Sequence, residues 1–394
     1  MFTCIYTKKQ FEKASKEHIL QNFLGAKWVC DTISSDEAQH AFGESIDLSL
    51  SKDLKFFKAL LGSKGSREAK NTKIKPTKHN SLQGLKSESG ASYSMQPGGR
   101  FVLAEPFIQI NPKSDGREYV KAIISDKSDT QRVMATVRKQ HPNLTLMEDT
   151  LEYGTEQEEG PIQISLNMGG RDSYRGMLKS IFNLLGAKNP ELALHPEFDS
   201  LREFILNGEG NIGDFVHYPE SLNPGALPHF NQFDHFLAVY SQSGSIDGFI
   251  QYYGTICYSV RLCSNYTGED FQYAYQVNPL PVQPHQENRE PKFNPELLPK
   301  FAECGALNNP DFQKFMTARI ENFLKAWNEL KLEEIAKKYE DKYAEQMEML
   351  CKEAQSKNFN VSEFKNASNE LLQNIELELQ KEVQNSSILK THNS

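Results

Sequence analysis

Apolar positions along the chain fall into separate runs whose spacing predicts the elements. In residues 1–62 a short apolar start at residues 2–6 is followed by Ile19-Leu20, a turn at Gly25, and Lys27-Trp28-Val29-Cys30, which reads as a short strand. Ser34 and Glu37 have the capping-box spacing, so a helix is expected to begin there and run through Phe42 and Ile46 towards Leu61, with a break near Gly43. Residues 63–99 are rich in Ser, Lys, Gly and Asn, with few large apolar side chains, and read as a linker. Alternation returns at residues 101–104 and 119–124, which predicts strands. A strand at 162–166 precedes a helix whose apolar face is Tyr174, Met177, Leu178, Ile181, Phe182 and Leu185, with Gly186 suited to its C-cap. A second helix is expected over 198–206. Strands follow over 234–241, 247–253 and 255–263, joined by glycine turns at Ser243-Gly244 and Tyr253-Gly254. A proline-rich boundary covers 276–299, and helices are expected over 309–356 and 362–386.

The fold class implied is α+β, on a chain of 394 residues. The expected divisions are a compact module at 1–62, a basic linker at 63–99, a mixed α+β domain at 100–275, a proline-rich connection at 276–308 and a long helical C-terminal region at 309–394. No apolar run is long enough to span a membrane, so no membrane association is expected. The six cysteines are scattered without a C-x-x-C pair, which points to a reducing compartment, the cytoplasm.

The net charge of −8 hides an uneven distribution. Residues 51–140 hold 18 Lys/Arg against 8 Asp/Glu, a net of +10, whereas residues 141–394 hold 21 against 37. A polyanion would be attracted to the basic segment; a solvated lysine-rich linker is the other reading. Lys52, Lys55, Lys58 and Arg67 are its candidate nucleic-acid contacts. In the C-terminal helices Leu324, Trp327, Leu330, Ile335 and Tyr339 form an apolar stripe. It suits either intramolecular packing or docking of a second copy or a protein partner.

The candidate chemistry lies in the first fifty residues. Phosphodiester hydrolysis needs a base for the attacking water and positive charge on the phosphorane and leaving oxygen, which a histidine and one divalent ion can supply. Glu17-His18 is an acid–histidine pair. His40, Glu44 and Asp47 are spaced four and three apart, so a continuous α-helix puts them on one face. Elsewhere, Arg171, Arg175 and Lys179 place positive charge along one helix, either as a solvated face or for phosphate contact. His235, with His229 and His217, suggests either a second metal site or, the preferred reading, a single buried histidine at a strand entry, and Cys4, Cys30, Cys257 and Cys263 read as small buried hydrophobes.

Cys4-Ile-Tyr-Thr7, Ser15-Lys-Glu17-His18-Ile, Leu24-Gly25, Val29-Cys30 and Phe42-Gly43-Glu-Ser-Ile46-Asp47 resemble the module of a bacterial HNH endonuclease subgroup. Members of that subgroup read C-x-x-C, S-x-E-H-I, L-G-G, a second cysteine pair and F-G-x-x-I-D. A fainter likeness to the region that follows the module falls on Arg175-Gly-Met-Leu-Lys179 and residues 249–260. The resemblance implies a small N-terminal ββα-metal fold and a metal-dependent endonuclease acting on DNA, with RNA an open alternative, in a restriction or anti-phage setting. His18 would be the general base and Glu17 a metal ligand or the residue that orients it. His40 would be the helix's metal-binding residue and Asp47 a further ligand. The ion would be Mg²⁺ or Mn²⁺, because oxygen ligands dominate.

Three departures qualify this. Thr7 and Ile33 stand where the second cysteine of each pair is expected, so two cysteines remain and no structural zinc is expected. No equivalent of the central asparagine is identified, Asn22 being only a neighbour. The alternative is therefore a catalytically degenerate HNH-like module that binds nucleic acid or scaffolds an assembly. A third reading is an interaction subunit built around the helical tail.

Overall fold

The structure is a computed structural model that describes residues 1–13, 15–62, 76–77, 82–99, 101–112, 118–124, 130–142, 162–222, 227, 232–280, 290–357 and 359–385. It is mixed α+β, as expected, and divides into two compact units, Met1–Ile320 and Glu321–Ser394. No helix among the described residues is long and apolar enough to cross a membrane.

The first unit begins with two small antiparallel pairs. β1 (Phe2–Thr3) pairs with β2 (Gln10–Phe11), and β3 (Ser15–His18) with β4 (Val29–Ser34). Helix α1 (Asp36–Ala41) follows, then a π-helical turn (Phe42–Ile46), α2 (Asp47–Asp53) and α3 (Lys55–Leu61). The helix start lies one residue later than the capping-box spacing implies. Ser35 is the N-cap, its hydroxyl accepting from the Ala38 N–H at 3.3 Å, while Glu37 faces outward to Lys9 at 3.0 Å. The break expected near Gly43 takes the form of the π turn, and a second break falls at Leu54.

Residues 82–99, expected to be linker, carry strands. β5 (Leu82–Ser87) pairs with β10 (Ile162–Leu166), and β6 (Tyr93–Met95) with β7 (Phe101–Leu103). Leu82, Leu85, Tyr93 and Met95 are buried. They are too sparse among Ser, Gly and Lys to read as a periodic run; the distant β10 holds β5 in register and the nearby β7 holds β6. β8 (Phe107–Pro112) and β9 (Glu118–Ile123) form another hairpin, followed by α4 (Thr130–Gln140).

The main sheet contains β11 (Val216–Tyr218), β12 (His235–Gln242), β13 (Ser245–Tyr252), β14 (Ile256–Cys263), β15 (Gln272–Val277) and β16 (Gly305–Ala306). It runs in the order β15-β12-β13-β14-β11-β16, antiparallel throughout. The three strands expected in this region are its centre. Helix α5 (Arg171–Lys188) leads to α6 (Pro190–Ala193) and α7 (Asp199–Asn207). α5 continues past the expected stop at Gly186, because Gly186 serves close packing: a side chain there would meet Ile5.

α5 is the centre of this unit, and every residue from Ser173 to Gly186 is buried. One side lies on the sheet, where a Cβ on Gly248 would come within 2.8 Å of Ile181. Val239, Gly248 and Val260 are register partners and share that face. On the opposite face Phe236, Tyr240, Phe249 and Leu298 form a second apolar cluster. Burial on both faces explains why His235-Phe-Leu-Ala-Val-Tyr-Ser241 reads as a continuous apolar run and not an alternating one. The other side of α5 meets residues 1–62, where a Cβ on Gly176 would lie 3.0 Å from the Ile46 carbonyl oxygen.

In the second unit the distal part of α8 (Asp311–Ser356) and α9 (Val361–Asn385) run antiparallel. Tyr339 donates to Glu382 at 2.6 Å and Lys338 pairs with the same carboxylate at 2.7 Å, while Met347 lies near Ser368.

Gly254, in the turn from β13 to β14, has φ +62°, and a Cβ there would overlap the Gln232 carbonyl oxygen. Gly254→Ala is therefore expected to lower unfolding free energy by at least about 2 kcal/mol, as read by urea denaturation. An unchanged midpoint would contradict this reading of the turn.

Candidate functional site

Along β3, Ser15 and Glu17 point inward, Lys16 points to solvent and His18 is half-buried. The Glu17 carboxylate meets Lys179 of α5, whose Nζ lies 3.0 Å from Glu17 Oε1 and 2.7 Å from Asp47 Oδ2. Amides fill the remaining polar positions. Gln21 Nε2 donates to Asp47 Oδ1 at 3.1 Å and to the Gly176 carbonyl at 2.8 Å, and Gln21 Oε1 accepts from Ser180 Oγ at 3.0 Å. Asn183 Nδ2 donates to the His18 carbonyl at 2.9 Å, and the Tyr6 hydroxyl donates to Asn183 Oδ1. The Lys179 ammonium also lies 4.9 Å from the centre of the Phe42 ring. A network of two acids, one lysine and neutral amides thus joins residues 1–62 to α5.

The cluster is dry. Lys179 has 2% of its side chain exposed, Glu17 8% and Asp47 27%. Burial pushes the Glu17 pKa up, against the pull of Lys179. Burial works against the Lys179 ammonium, but Asp47 and Glu17 outweigh it and its pKa stays above the usual lysine value. The lysine therefore carries its charge, and each carboxylate faces a cation supplied by the protein.

The residues expected to form the metal site are distributed as follows. Glu17 and Asp47 converge, through Lys179. His18 stands beside them on β3, paired across the hairpin with Val29. His40 is exposed at the end of α1 and does not join them. The cause is the π turn between His40 and Asp47. In a continuous α-helix seven residues bring a side chain back to nearly the same face, but a π turn takes in about one extra residue, about 100° of rotation. Among the described residues, no group of three or more His, Cys, Asp or Glu side chains is arranged to hold a metal ion. As arranged, the oxygens of Glu17 and Asp47 that would ligate Mg²⁺ or Mn²⁺ surround an ammonium group.

Of the candidate phosphate contacts, Lys52 and Lys55 are half-exposed. Lys58 is buried with its Nζ 5.8 Å from the Phe23 ring centre, which withdraws it from a phosphate, and Arg67 lies outside the described residues. Arg171 and Arg175 serve α7. Arg175 Nε donates to the Ile205 carbonyl at 3.0 Å, and Arg171 donates to the carbonyls of Gly208 and Gly210. Cys4, Cys257 and Cys263 are buried, whereas Cys30 is half-buried. His235 is buried, its Nδ1 accepts from the Tyr253 N–H at 3.2 Å, and burial drives its pKa down to about 3, so it stays neutral.

Three residues of the site have no place in the motif reading, Asn183, Gln21 and Gln39, and Lys179, read as a solvated charge or a phosphate contact, is instead the partner of both acids. Gln39 Nε2 donates to the Lys16 carbonyl at 2.7 Å and ties α1 to β3. Lys179 and Asn183 carried no signal of burial in the sequence: they lie on the polar side of a helix with one apolar face, and they are buried only because residues 1–62 cover that side.

A second polar group lies at the start of α5. The Asp53 carboxylate accepts from the Gly169 N–H at 2.8 Å and from Ser173, and burial raises its pKa to about 6. Comparison of the chain with protein-family models, with curated proteins and with solved structures finds no match to any of them.

Folded Asp53 holds its proton more tightly than an unfolded aspartate does. Its contribution to stability is full below about pH 4 and is lost as the pH rises through about 6. Asp53→Asn removes that loss. The variant is expected to match the wild type near pH 4 and to exceed it by roughly 1–2 kcal/mol at pH 8, allowing for partial exposure. Denaturation at both pH values checks this, and a difference that does not change with pH would contradict it.

Proposed function

We propose that residues 1–62 are an HNH-like module that engages nucleic acid by binding, with Glu17 and Asp47 acting as anchors to α5 and not as metal ligands. The observation that carries this reading is the pairing of both carboxylates with Lys179, together with the displacement of His40 by the π turn. Two features support a polyanionic partner. Lys52 and Lys55 remain half-exposed on α2 and α3, and the segment that begins there has a net charge of +10. DNA is the first partner to test and RNA the second. The six free cysteines suit a reducing, cytoplasmic setting.

One observation favours metal-dependent cutting as a second reading. Asn183 fixes the backbone of His18 while leaving its side chain half-buried, which would hold an imidazole in place for a water. The metal would then need ligands other than the Lys179-bound pair.

Supercoiled plasmid incubated with the protein and Mg²⁺ or Mn²⁺, beside EDTA and His18→Ala controls, separates the two. The binding reading expects plasmid retention whose log affinity falls linearly with log salt, with no metal-dependent nicking. Nicking abolished both by EDTA and by His18→Ala would replace it with the endonuclease reading. Neither retention nor nicking, on DNA or RNA, would contradict both.

A further inference from the structure

A cavity lies between α2, the start of α5 and strands β13 and β14, away from the Lys179 cluster. Its volume is about 20 Å³, room for one or two non-hydrogen atoms. Asp53, Ser173, Tyr174, Tyr252, Tyr258 and Met177 contribute to its wall, and among the described residues no lysine, arginine or histidine does. The Tyr174 and Tyr258 rings meet nearly at right angles, 85° apart with centres 5.5 Å from each other. The buried Tyr252 hydroxyl has no well-formed hydrogen bond among the described residues, Ser180 being its polar neighbour.

These features point to one kind of ligand. A half-buried carboxylate with no cationic side chain on the cavity wall is short of positive charge. The Gly169 N–H and Ser173 bind that carboxylate but bring no full charge. Aromatic walls favour a cation over a neutral group. Among the described residues Asp53 is the only carboxylate on the wall, which disfavours a divalent ion, since such ions take several oxygen ligands with more than one negative charge. The size excludes a nucleotide, a sugar or a quaternary ammonium. We propose that this cavity binds an ammonium-sized monovalent cation, held by Asp53 and the tyrosine hydroxyls. Free ammonium, K⁺ and the tip of a small primary amine share that chemistry. The proposal is independent of the role of residues 1–62 towards nucleic acid.

The test is thermal unfolding of the whole chain at pH 8, titrated with ammonium, methylammonium, potassium or tetramethylammonium chloride at matched ionic strength. The expected result is a saturable rise in Tm with ammonium that tetramethylammonium does not give. A response to methylammonium as well would identify an amine tip, and a response to potassium without methylammonium a bare ion. Asp53→Asn is expected to weaken the response at least about tenfold, equivalent to roughly 1.4 kcal/mol. Tyr258→Phe, which keeps the ring and removes the hydroxyl, should weaken it severalfold and guards against misfolding of the first variant. Equal shifts with all four salts, no saturable shift with any, or an unaltered response in Asp53→Asn would each overturn the proposal.

Discussion

The first unit depends on one buried ammonium group. Lys179 leaves the middle of α5 and meets two carboxylates from different elements, Glu17 on β3 and Asp47 at the start of α2. Glu17 could not be buried without it, because a desolvated carboxylate needs a cation or several donors, and the partly exposed Asp47 shares the same cation. Gly176 lets the turn before α2 approach α5, and Asn183 and Gln21 take up the hydrogen bonds that the ion pairs leave open. The same helix presses Ile181 into the gap at Gly248 of the sheet. Residues 1–62 and the main sheet are thus two layers on opposite sides of α5.

This placement changes what Glu17 and Asp47 can do. An acid that would ligate a metal in a free-standing ββα module is here occupied by the helix behind it. The π turn has two effects at once: it points Asp47 towards Lys179 and leaves His40 exposed on the end of α1. Gln39, next to His40, fastens α1 to β3 through the Lys16 carbonyl. The arrangement directs both acids towards Lys179 and leaves neither of them facing His40.

Long periodic segments were legible in the sequence. The helices over 171–188, 311–356 and 361–385 and the strands from β12 to β14 follow from their apolar spacing and turn glycines, whereas Glu17 and Asp47, expected around a metal ion, instead meet one lysine. What was not legible depends on partners distant in sequence. Lys179 reads as a surface charge until all faces of α5 are seen to be covered. β5 carries few apolar residues and exists by pairing with β10, far along the chain. The π turn leaves no trace in a spacing argument, because Phe42-Gly-Glu-Ser-Ile46 also suits an α-helix, yet it decides that His40 and Asp47 part company. The cavity at Asp53 likewise joins Leu50 to Tyr258, far apart in the chain.

The most direct measurement is a double-mutant cycle on Glu17 and Lys179 by chemical denaturation at neutral pH. Lys179→Met leaves the buried Glu17 and the partly exposed Asp47 without their cation and is expected to cost about 3–5 kcal/mol. Glu17→Gln in that background should recover part of the loss, giving a coupling energy of at least about 2 kcal/mol. A coupling near zero, or a Lys179→Met protein as stable as the wild type, would contradict the view that this ammonium group holds the N-terminal module to α5.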